Sequence, residues 1–245
     1  MSTRLEFLGR VQKALGRQPG EPLPERRPDL LFGPLEGVME PIPAEQIIDK
    51  FELELQKVAG SSYRATTMAA LDAILQKILS DRQAKEVVYS RNPILAAVGL
   101  RAKLAAWGVS ADSWPGQGAD ETALSASKPF REKAFTAEVG ITGVEFVLAE
   151  SGTVVVTSRT EGAQLGSLAP PTHIALYRRS QALATLEEVL ERLPVPTDPN
   201  QPMLGRSVVF ITGPSRTADI EQILIRGVHG PKEVHAILVE DACLA

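Results

Sequence analysis

From residue 44 onward, helical and strand-like patterns alternate along the chain. Apolar residues at helical spacing mark helices over 47–58 and 67–79, and a third helix is predicted from Asn92, a residue that favours helix starts, to Gly108. Apolar runs of strand length lie at 86–90, 174–179, 207–212 and 234–239. Several of these runs are apolar throughout, which is typical of strands covered on both faces. The alternation predicts an α/β fold with three layers, in which a mainly parallel sheet is flanked by helices.

The stretch ITGVEFVLAESGTVVVTS, residues 141–158, adds a local feature to this fold. It is predicted to form two strands around a turn at Glu150-Ser151-Gly152, which makes a β-hairpin. Two further helices are predicted, one over about 183–193 and one over about 217–226.

The first 43 residues differ from the rest. Thr3 and Glu6 have the spacing of a capping box, and a short helix is predicted from there to Gly16. Seven prolines between residues 19 and 43 prevent a helix or a central strand, so this segment is predicted to be an extended arm. We therefore expect two parts, an N-terminal helix with a proline-rich arm (1–43) and an α/β domain (44–245). Helices tethered in this way often pack on a partner or on a neighbouring protomer, and the second case gives a homo-oligomer.

Composition excludes several classes of protein. The net charge of −4 leaves no basic surface for nucleic acid, and no apolar run approaches the ~20 residues of a membrane span. The single cysteine, Cys243, excludes a disulfide, a thiolate zinc site and an iron–sulfur cluster held by this chain alone. The charged N-terminus lacks the apolar core of a signal peptide. We expect a cytoplasmic protein without a metal site.

Familiar catalytic motifs are missing. The sequence contains no G-x-x-x-x-G-K-[ST], no H-E-x-x-H and no G-x-S-x-G. Gly116 and Gly118 are followed by no third glycine and preceded by no strand, so a Rossmann fingerprint is absent. Local motifs therefore do not identify a dehydrogenase with its own nucleotide cofactor.

The segment GPSRT, from Gly213 to Thr217, lies between a predicted strand and a predicted helix. In open α/β sheets, ligands bind at such junctions. The backbone N–H groups of Ser215, Arg216 and Thr217 could converge on an anion, and Arg216 adds a two-pronged donor. The alternative is plain helix capping, with Arg216 paired to Asp219, and these residues alone favour it slightly.

A second segment, ESGT, contains Glu150, Ser151, Gly152 and Thr153. A carboxylate held beside two hydroxyl groups can act as a base, a nucleophile or a hydrogen-bond acceptor. The alternative is a solvated turn in which glycine adopts a positive φ, and for an isolated Glu this alternative is favoured.

The three histidines add one further candidate. His229 lies in a predicted loop that is free to face a cleft, although a lone loop histidine is more often a surface group. His173 and His235 are expected to have structural roles.

Three sequence blocks, AESGTVVVTS, LAPPTHIAL and FITGPSRTADIEQILIRGVHGPKEVHAILV, resemble the LUD domain and specifically the lactate utilization protein C family. The N-terminal helix with its proline-rich arm adds to the resemblance. The resemblance implies a fold of the sugar-phosphate isomerase and CoA-transferase type. It also implies a role in the oxidation of L-lactate to pyruvate, together with two separate iron–sulfur proteins. The clusters would lie on those partners, and this chain would carry no cofactor.

The resemblance also favours the anion site over plain capping. It implies a cleft in which Gly213, Ser215, Arg216 and Thr217 bind a small carboxylate, with Glu150 to Thr153 opposite and His229 in the next loop. Glu150 is the candidate catalytic residue. Two alternatives stay open: an independent enzyme of acyl, CoA or phosphosugar chemistry, and a regulatory protein that binds a small acid. Whether this chain has an activity of its own is not decided by its sequence.

Overall fold

The computed structural model describes residues 9–11, 13–14, 16, 41–114, 121–162, 164–193, 207–218, 224–226 and 230–243, and it describes side chains at all of these except 121–127, 216–218 and 224–226. The chain divides into two compact units, Met1–Glu40 and Pro41–Ala245. In the first unit, residues 9–11 and 13–14 are helical, in agreement with the predicted N-terminal helix. The proline-rich arm up to residue 40 and the proline-rich stretch 194–202 lie outside the described residues. The predicted boundary between residues 43 and 44 stays a prediction.

The second unit is built from helices and strands that follow one another along the chain. Its described strands are β1 (Ser61–Ala65), β2 (Glu86–Tyr89), β3 (Ser110–Ser113), β4 (Val139–Thr142), β5 (Phe146–Leu148), β6 (Thr153–Thr157), β7 (Thr172–Tyr177), β8 (Ala182–Leu183), β9 (Val208–Ile211), β10 (Arg216–Ala218), β11 (Leu224–Arg226) and β12 (Glu233–Val239). Its described α-helices are α1 (Ile47–Lys57), α2 (Met68–Asp81), α3 (Pro93–Ala97), α4 (Leu100–Ala106), α5 (Glu121–Thr136), α6 (Ser158–Glu161), α7 (Leu165–Leu168) and α8 (Leu186–Arg192).

Six strands form one sheet in the order β1-β12-β7-β4-β2-β3, and every neighbouring pair is parallel. The strands predicted at 86–90, 174–179 and 234–239 are β2, β7 and β12. Every residue of β7 is buried, and so is every residue of β12 after the first. Continuous burial of this kind requires a layer on each face of the sheet. The predicted α/β fold with a mainly parallel sheet is therefore confirmed.

The two faces of this sheet are covered by different layers. On one face, Ile174 and Ile237 pack among apolar residues of α2, α3 and α4. On the other face, Tyr177 and Leu238 pack among α1 and the strands of a second, smaller sheet. Successive residues of a strand point to opposite faces, so β7 and β12 supply side chains to both layers.

The smaller sheet has the strand order β8-β5-β6-β9. Strands β5 and β6 are the predicted hairpin. In its turn, Gly152 has a φ of +64°, and a Cβ there would lie 2.1 Å from the backbone N of Leu55, so the turn lies directly on α1. The strand predicted at 207–212 forms as β9. It pairs antiparallel with β6, in the smaller sheet and not in the parallel one.

Two helix predictions are wrong. The helix predicted over about 217–226 is replaced by β10 and β11, an antiparallel pair in which Thr217 lies opposite Ile225. Both residues are β-branched and favour strands, so cross-strand pairing outweighs the helical spacing of the apolar residues. The single helix predicted from Asn92 to Gly108 is divided into α3 and α4. Gly99 between them has a φ of +66°, the left-handed conformation that commonly ends a helix.

The chain reverses its direction across the parallel sheet at β2. It passes from β2 through α3 and α4 to β3 on one side, and from β3 through α5 to β4 on the other. Val87 packs with the helices of the first crossover, and Val88 packs with Phe130 of the second. The crossovers therefore lie on opposite faces, as right-handed connections require. Such a reversal leaves a crevice at the carboxyl ends of the strands, where ligands of open α/β sheets bind. We call the region at the carboxyl ends of β2, β3 and β4 the switch-point cleft.

A close backbone contact beside this cleft can be tested by substitution. A Cβ on Gly140 would lie 1.7 Å from the carbonyl O of Gly166 in α7. We expect Gly140→Ala to lower the free energy of unfolding by about 1–3 kcal/mol or more, because the helix backbone has to move. Urea denaturation measures this change.

The other partner of the same contact supplies the control. A Cβ on Gly166 would have its nearest neighbours at 3.8 and 3.9 Å, which is ordinary contact. Gly166→Ala should therefore leave stability unchanged or raise it slightly, since Ala favours a helix over Gly. Equal losses in the two variants would contradict the described contact.

Candidate functional site

A buried carboxylate joins the loops of the switch-point cleft. The side chain of Glu161, at the end of α6, is 0% exposed. Its Oε2 accepts hydrogen bonds from Ser90 Oγ at 2.5 Å and from the backbone N–H of Gly143 at 3.0 Å. Its Oε1 accepts a hydrogen bond from Asn92 Nδ2. Ser90 and Asn92 follow β2, and Gly143 follows β4. One side chain of α6, the helix after β6, therefore connects the loops after β2 and β4.

The local sequence explains how these donors are placed. Asn92 caps α3, since its Oδ1 accepts a hydrogen bond from the N–H of Ile94 at 3.1 Å. The backbone N–H of Ser90 donates to the carbonyl O of Ile141 at 3.0 Å, which extends the pairing of β2 with β4 by one residue. A Cβ on Gly143 would lie 2.2 Å from Asn92 Cγ. Only glycine at that position lets the two loops approach this closely.

Burial raises the pKa of the Glu161 carboxyl above its ordinary value of 4.5, and this effect outweighs the hydrogen bonds, which act in the opposite direction. Carboxyl groups with perturbed pKa values concentrate in functional clefts. Glu161 itself does not line the open part of the cleft, because it lies behind Ser90 and Asn92. The position of Glu161 suits a residue that holds Ser90 and Asn92 in place in the wall of the cleft.

In front of this wall lies a pocket of about 630 Å³. This volume falls within the range of roughly 300–1,000 Å³ that is usual for small-molecule sites. The polar wall consists of Ser90, Arg91 and Asn92, at the end of β2. The helical wall comes from α3 and α4 and consists of Leu95, Ala96, Gly99, Leu100, Ala102 and Ala105, with Arg101 at the exposed rim. The aromatic rings of Tyr89 and Trp114 complete the lining, together with Ser113.

Arg91 is the cation best placed to bind an anion in this pocket. Its Nη2 donates to the carbonyl O atoms of Arg159, at 3.0 Å, and Ser158, at 3.4 Å. Among the described residues, the hydrogen bonds of the Arg91 guanidinium all use Nη2, so single N–H donors at Nε and Nη1 remain for a ligand. Arg159 cannot serve in its place, because its guanidinium is paired with the carboxylate of Glu145.

His173 contacts the end of β4, directly before the loop that contains Gly143. It is fully buried, and its Nε2 lies 2.8 Å from Thr142 Oγ1. That hydroxyl donates its own hydrogen to the carbonyl O of Gly143 at 2.7 Å, so His173 is the donor to Thr142. Burial lowers the pKa of His173 to about 3, and the ring is therefore neutral near pH 7. This arrangement agrees with the structural role expected of His173.

The residues predicted as a site lie near the amino ends of the strands of the parallel sheet, at the opposite end from the switch-point cleft. In ESGT, Glu150 Oε1 accepts a hydrogen bond from the N–H of Leu186 at 2.9 Å, which fixes the start of α8. Thr153 Oγ1 lies 2.7 Å from Ser151 Oγ and 2.8 Å from Thr212 Oγ1. These contacts bring ESGT against the end of β9, directly before Gly213.

The GPSRT segment also lies near the amino ends of these strands. Gly213 has a φ of +76°, and a Cβ there would lie 2.6 Å from the carbonyl O of Val58, just before β1. The N–H of Ser215 donates to the carbonyl O of Pro231, just before β12. Arg216 and Thr217 belong to β10, so no helix N-terminus begins at GPSRT. His229 lies outside the described residues. The anion-binding role of these residues stays a prediction, without the helix on which it partly rested.

Sequence reasoning missed Ser90, Arg91 and Glu161 as members of a site. The polar residues 90–92, at and directly after the end of the strand predicted at 86–90, are the one local signal for the first two, because carboxyl ends of parallel strands face ligands. Glu161 stands 71 residues beyond Ser90 in the sequence, in the helix after β6, and the tertiary fold alone brings the two together.

The fold is that of an α/β protein with a pocket at the carboxyl ends of β2 and β3, beside the point where the chain reverses across its parallel sheet. In the described part of the chain, no group of three or more His, Cys, Asp or Glu side chains could hold a metal ion. No helix among the described residues is long and apolar enough to cross a membrane.

The family follows from a sequence match over most of this domain. The LUD domain model matches residues 48–239, and the chain belongs to the LUD domain family. The resemblance seen in the sequence is thereby confirmed.

Relatives and a solved structure agree with this assignment. The chain is 32% identical over 253 residues to a lactate utilization protein C from Geobacillus thermodenitrificans, covering 98% of each. It is 30% identical over 238 residues to the protein of that name from Halalkalibacterium halodurans, covering 97% of this chain and 98% of that protein. A crystal structure of a DUF162 family protein from Deinococcus radiodurans matches with a TM-score of 0.54 and 20% identity, covering 81% of this chain and 99% of that chain. At this identity the structural match supports the fold alone.

The raised pKa of Glu161 predicts a pH dependence of stability. The neutral carboxyl is favoured in the folded chain, so this contribution is complete below the unfolded pKa of about 4.5 and is lost as pH rises through the folded value. The free energy of unfolding of the wild-type chain minus that of Glu161→Gln should fall by about 1.4 kcal/mol per pH unit within this window. Urea denaturation of both chains from pH 4 to pH 8 measures the difference, in which other titrating groups cancel. A difference that rises with pH would show that the donors favour the ionised form.

Proposed function

We propose that the chain is a component of an L-lactate utilization system that oxidises L-lactate to pyruvate. The observation that carries this proposal is the similarity to lactate utilization protein C over nearly the full length of both chains. A match of this extent includes the N-terminal segment as well as the LUD domain, which favours the same role over an unrelated use of the fold.

In this proposal the chain works with two separate iron–sulfur proteins in the cytoplasm, and the electrons of lactate pass to their clusters. The chain has one cysteine, Cys243, whose Sγ donates to the carbonyl O of Ala65 at 3.3 Å in a buried position. One thiol cannot supply the four ligands that such clusters use. The N-terminal helix and arm are proposed to contact a second protomer or these partners.

The role proposed for the LUD domain is to bind the small carboxylate. The switch-point cleft supports this role, because Arg91 presents guanidinium donors beside the buried side chains of Ser90 and Asn92. Arg91 is itself held by two backbone carbonyls, so its orientation is set before a ligand arrives. A charged guanidinium N–H forms a strong hydrogen bond to an oxygen of a carboxylate group. Either lactate or pyruvate offers one such group.

Growth tests the role in lactate utilization. In the host organism, loss of the gene should abolish growth on L-lactate and leave growth on pyruvate unchanged, because only the step before pyruvate is blocked. The chain supplied from a plasmid should restore growth, and a tagged copy should co-purify with proteins that show iron–sulfur absorption. Normal growth of the deletion strain on L-lactate would overturn the proposal.

Calorimetry tests the location of the carboxylate. Arg91→Gln should weaken the binding of L-lactate and pyruvate at least tenfold, since a charge-assisted hydrogen bond contributes about 1.5–3 kcal/mol. Arg101→Gln is the matched control at the exposed pocket rim, where the loss should stay below about threefold.

The site predicted at GPSRT, near the amino ends of the strands, is compared in the same experiment. If Arg216→Ala abolishes binding while Arg91→Gln binds normally, the carboxylate lies at GPSRT and not at the switch-point cleft.

A further inference from the structure

The pocket at the switch-point cleft has two chemically different ends. Ser90, Arg91 and Asn92 form its polar end, at the edge of the sheet. The rest of the lining consists largely of apolar side chains from α3 and α4 and of two aromatic rings. A three-carbon acid bound by Arg91 has a single methyl group to place against this second, apolar end.

The aromatic part of the apolar end is held rigidly. Trp114 packs edge-on against Phe130, with ring centroids 5.2 Å apart and an interplanar angle of 90°. A Cβ on Gly162 would lie 2.1 Å from Trp114 Cδ1, so the backbone directly after Glu161 closes on the indole. An aromatic ring fixed in this way offers a ligand apolar contact area without ordering cost.

The helical wall is open where it meets the pocket. Its lining includes Ala96, Ala102 and Ala105, which are exposed, and Gly99, where an added Cβ would meet no atom within 4 Å. Small side chains on both sides of the helix break leave space between α3–α4 and the rings of Tyr89 and Trp114. The volume of about 630 Å³ is typical of sites for ligands much larger than lactate.

We propose that this pocket binds 2-hydroxy or 2-oxo acids whose side group is larger than methyl, either branched aliphatic or aromatic. This inference rests on the proposed function, since it places the carboxylate on Arg91. The side group lies in the apolar end, between the helical wall and Trp114. The ligand class is then set by the apolar end, and the carboxylate is common to all its members.

A matched series of acids tests the inference on the full chain by calorimetry. The series runs from L-lactate through L-2-hydroxybutyrate and L-2-hydroxyisocaproate to L-phenyllactate. Each added methylene should strengthen binding about fourfold, which corresponds to about 0.8 kcal/mol of buried apolar group. The three extra carbons of L-2-hydroxyisocaproate should therefore lower the Kd roughly 60-fold relative to L-lactate.

A substitution that fills the apolar end provides the second arm. Ala102→Phe places a large side chain on an exposed helix position that lines the pocket. It should remove the gain for the larger acids, so that in this variant they bind no more tightly than L-lactate does. Ala106→Phe is the matched control, because Ala106 is exposed on the same helix and does not line the pocket.

The outcomes separate this inference from the proposed function. If L-lactate binds and the larger acids bind no better, the inference is overturned and the proposed function stands. If the larger acids bind better but Ala102→Phe has no effect, their side groups lie elsewhere and the inference is again overturned. If no acid of the series binds, both the inference and the proposed carboxylate site fail.

Discussion

A buried carboxylate needs hydrogen-bond donors in place of water. Glu161 accepts hydrogen bonds from three donors, which belong to the loops after β2 and β4. Neither loop makes this arrangement alone. The loops approach each other because Gly143 has no side chain, and Asn92 reaches the carboxylate because it also caps α3. The polar wall of the pocket therefore depends on the burial of one acid that does not itself face the pocket.

Much of the fold can be predicted from the sequence, because most central strands are rich in apolar residues and the helices have regular apolar spacing. Three strands of the parallel sheet are missed: β1 and β3 at its two edges, and β4 in its centre, whose residues 141–142 fall within the stretch predicted as the hairpin. β1 and β3 have the sequences SSYRA and SADS, in which a single residue is buried, so no hydrophobic pattern marks them. The wrong prediction at 217–226 has a related cause, since helical spacing and β-branched residues coexist there and only pairing with another strand decides between them.

The site is less predictable than the fold, because it depends on which strands are neighbours. The strand at 207–212 has to belong to the parallel sheet if its end is to face a ligand, as the anion site predicted at GPSRT requires. It is antiparallel to β6, and the segment after it lies beside Val58 and Pro231, near the starts of β1 and β12. ESGT and GPSRT do lie near each other, because Thr153 contacts Thr212, the residue directly before GPSRT. Local residues do not show whether the two segments meet at the amino ends or at the carboxyl ends of the parallel strands.

The contact of Gly140 with Gly166 limits how sequences related to this one can diverge. Where most helices are separated from a sheet by side chains, α7 lies on β4 backbone against backbone. No change of side chain on α7 can compensate for a Cβ at Gly140, because the atom in the way is a carbonyl oxygen that every residue has. The closest point of the segment between β6 and β7 to the sheet is therefore tied to a single position on β4, whatever side chains α7 carries.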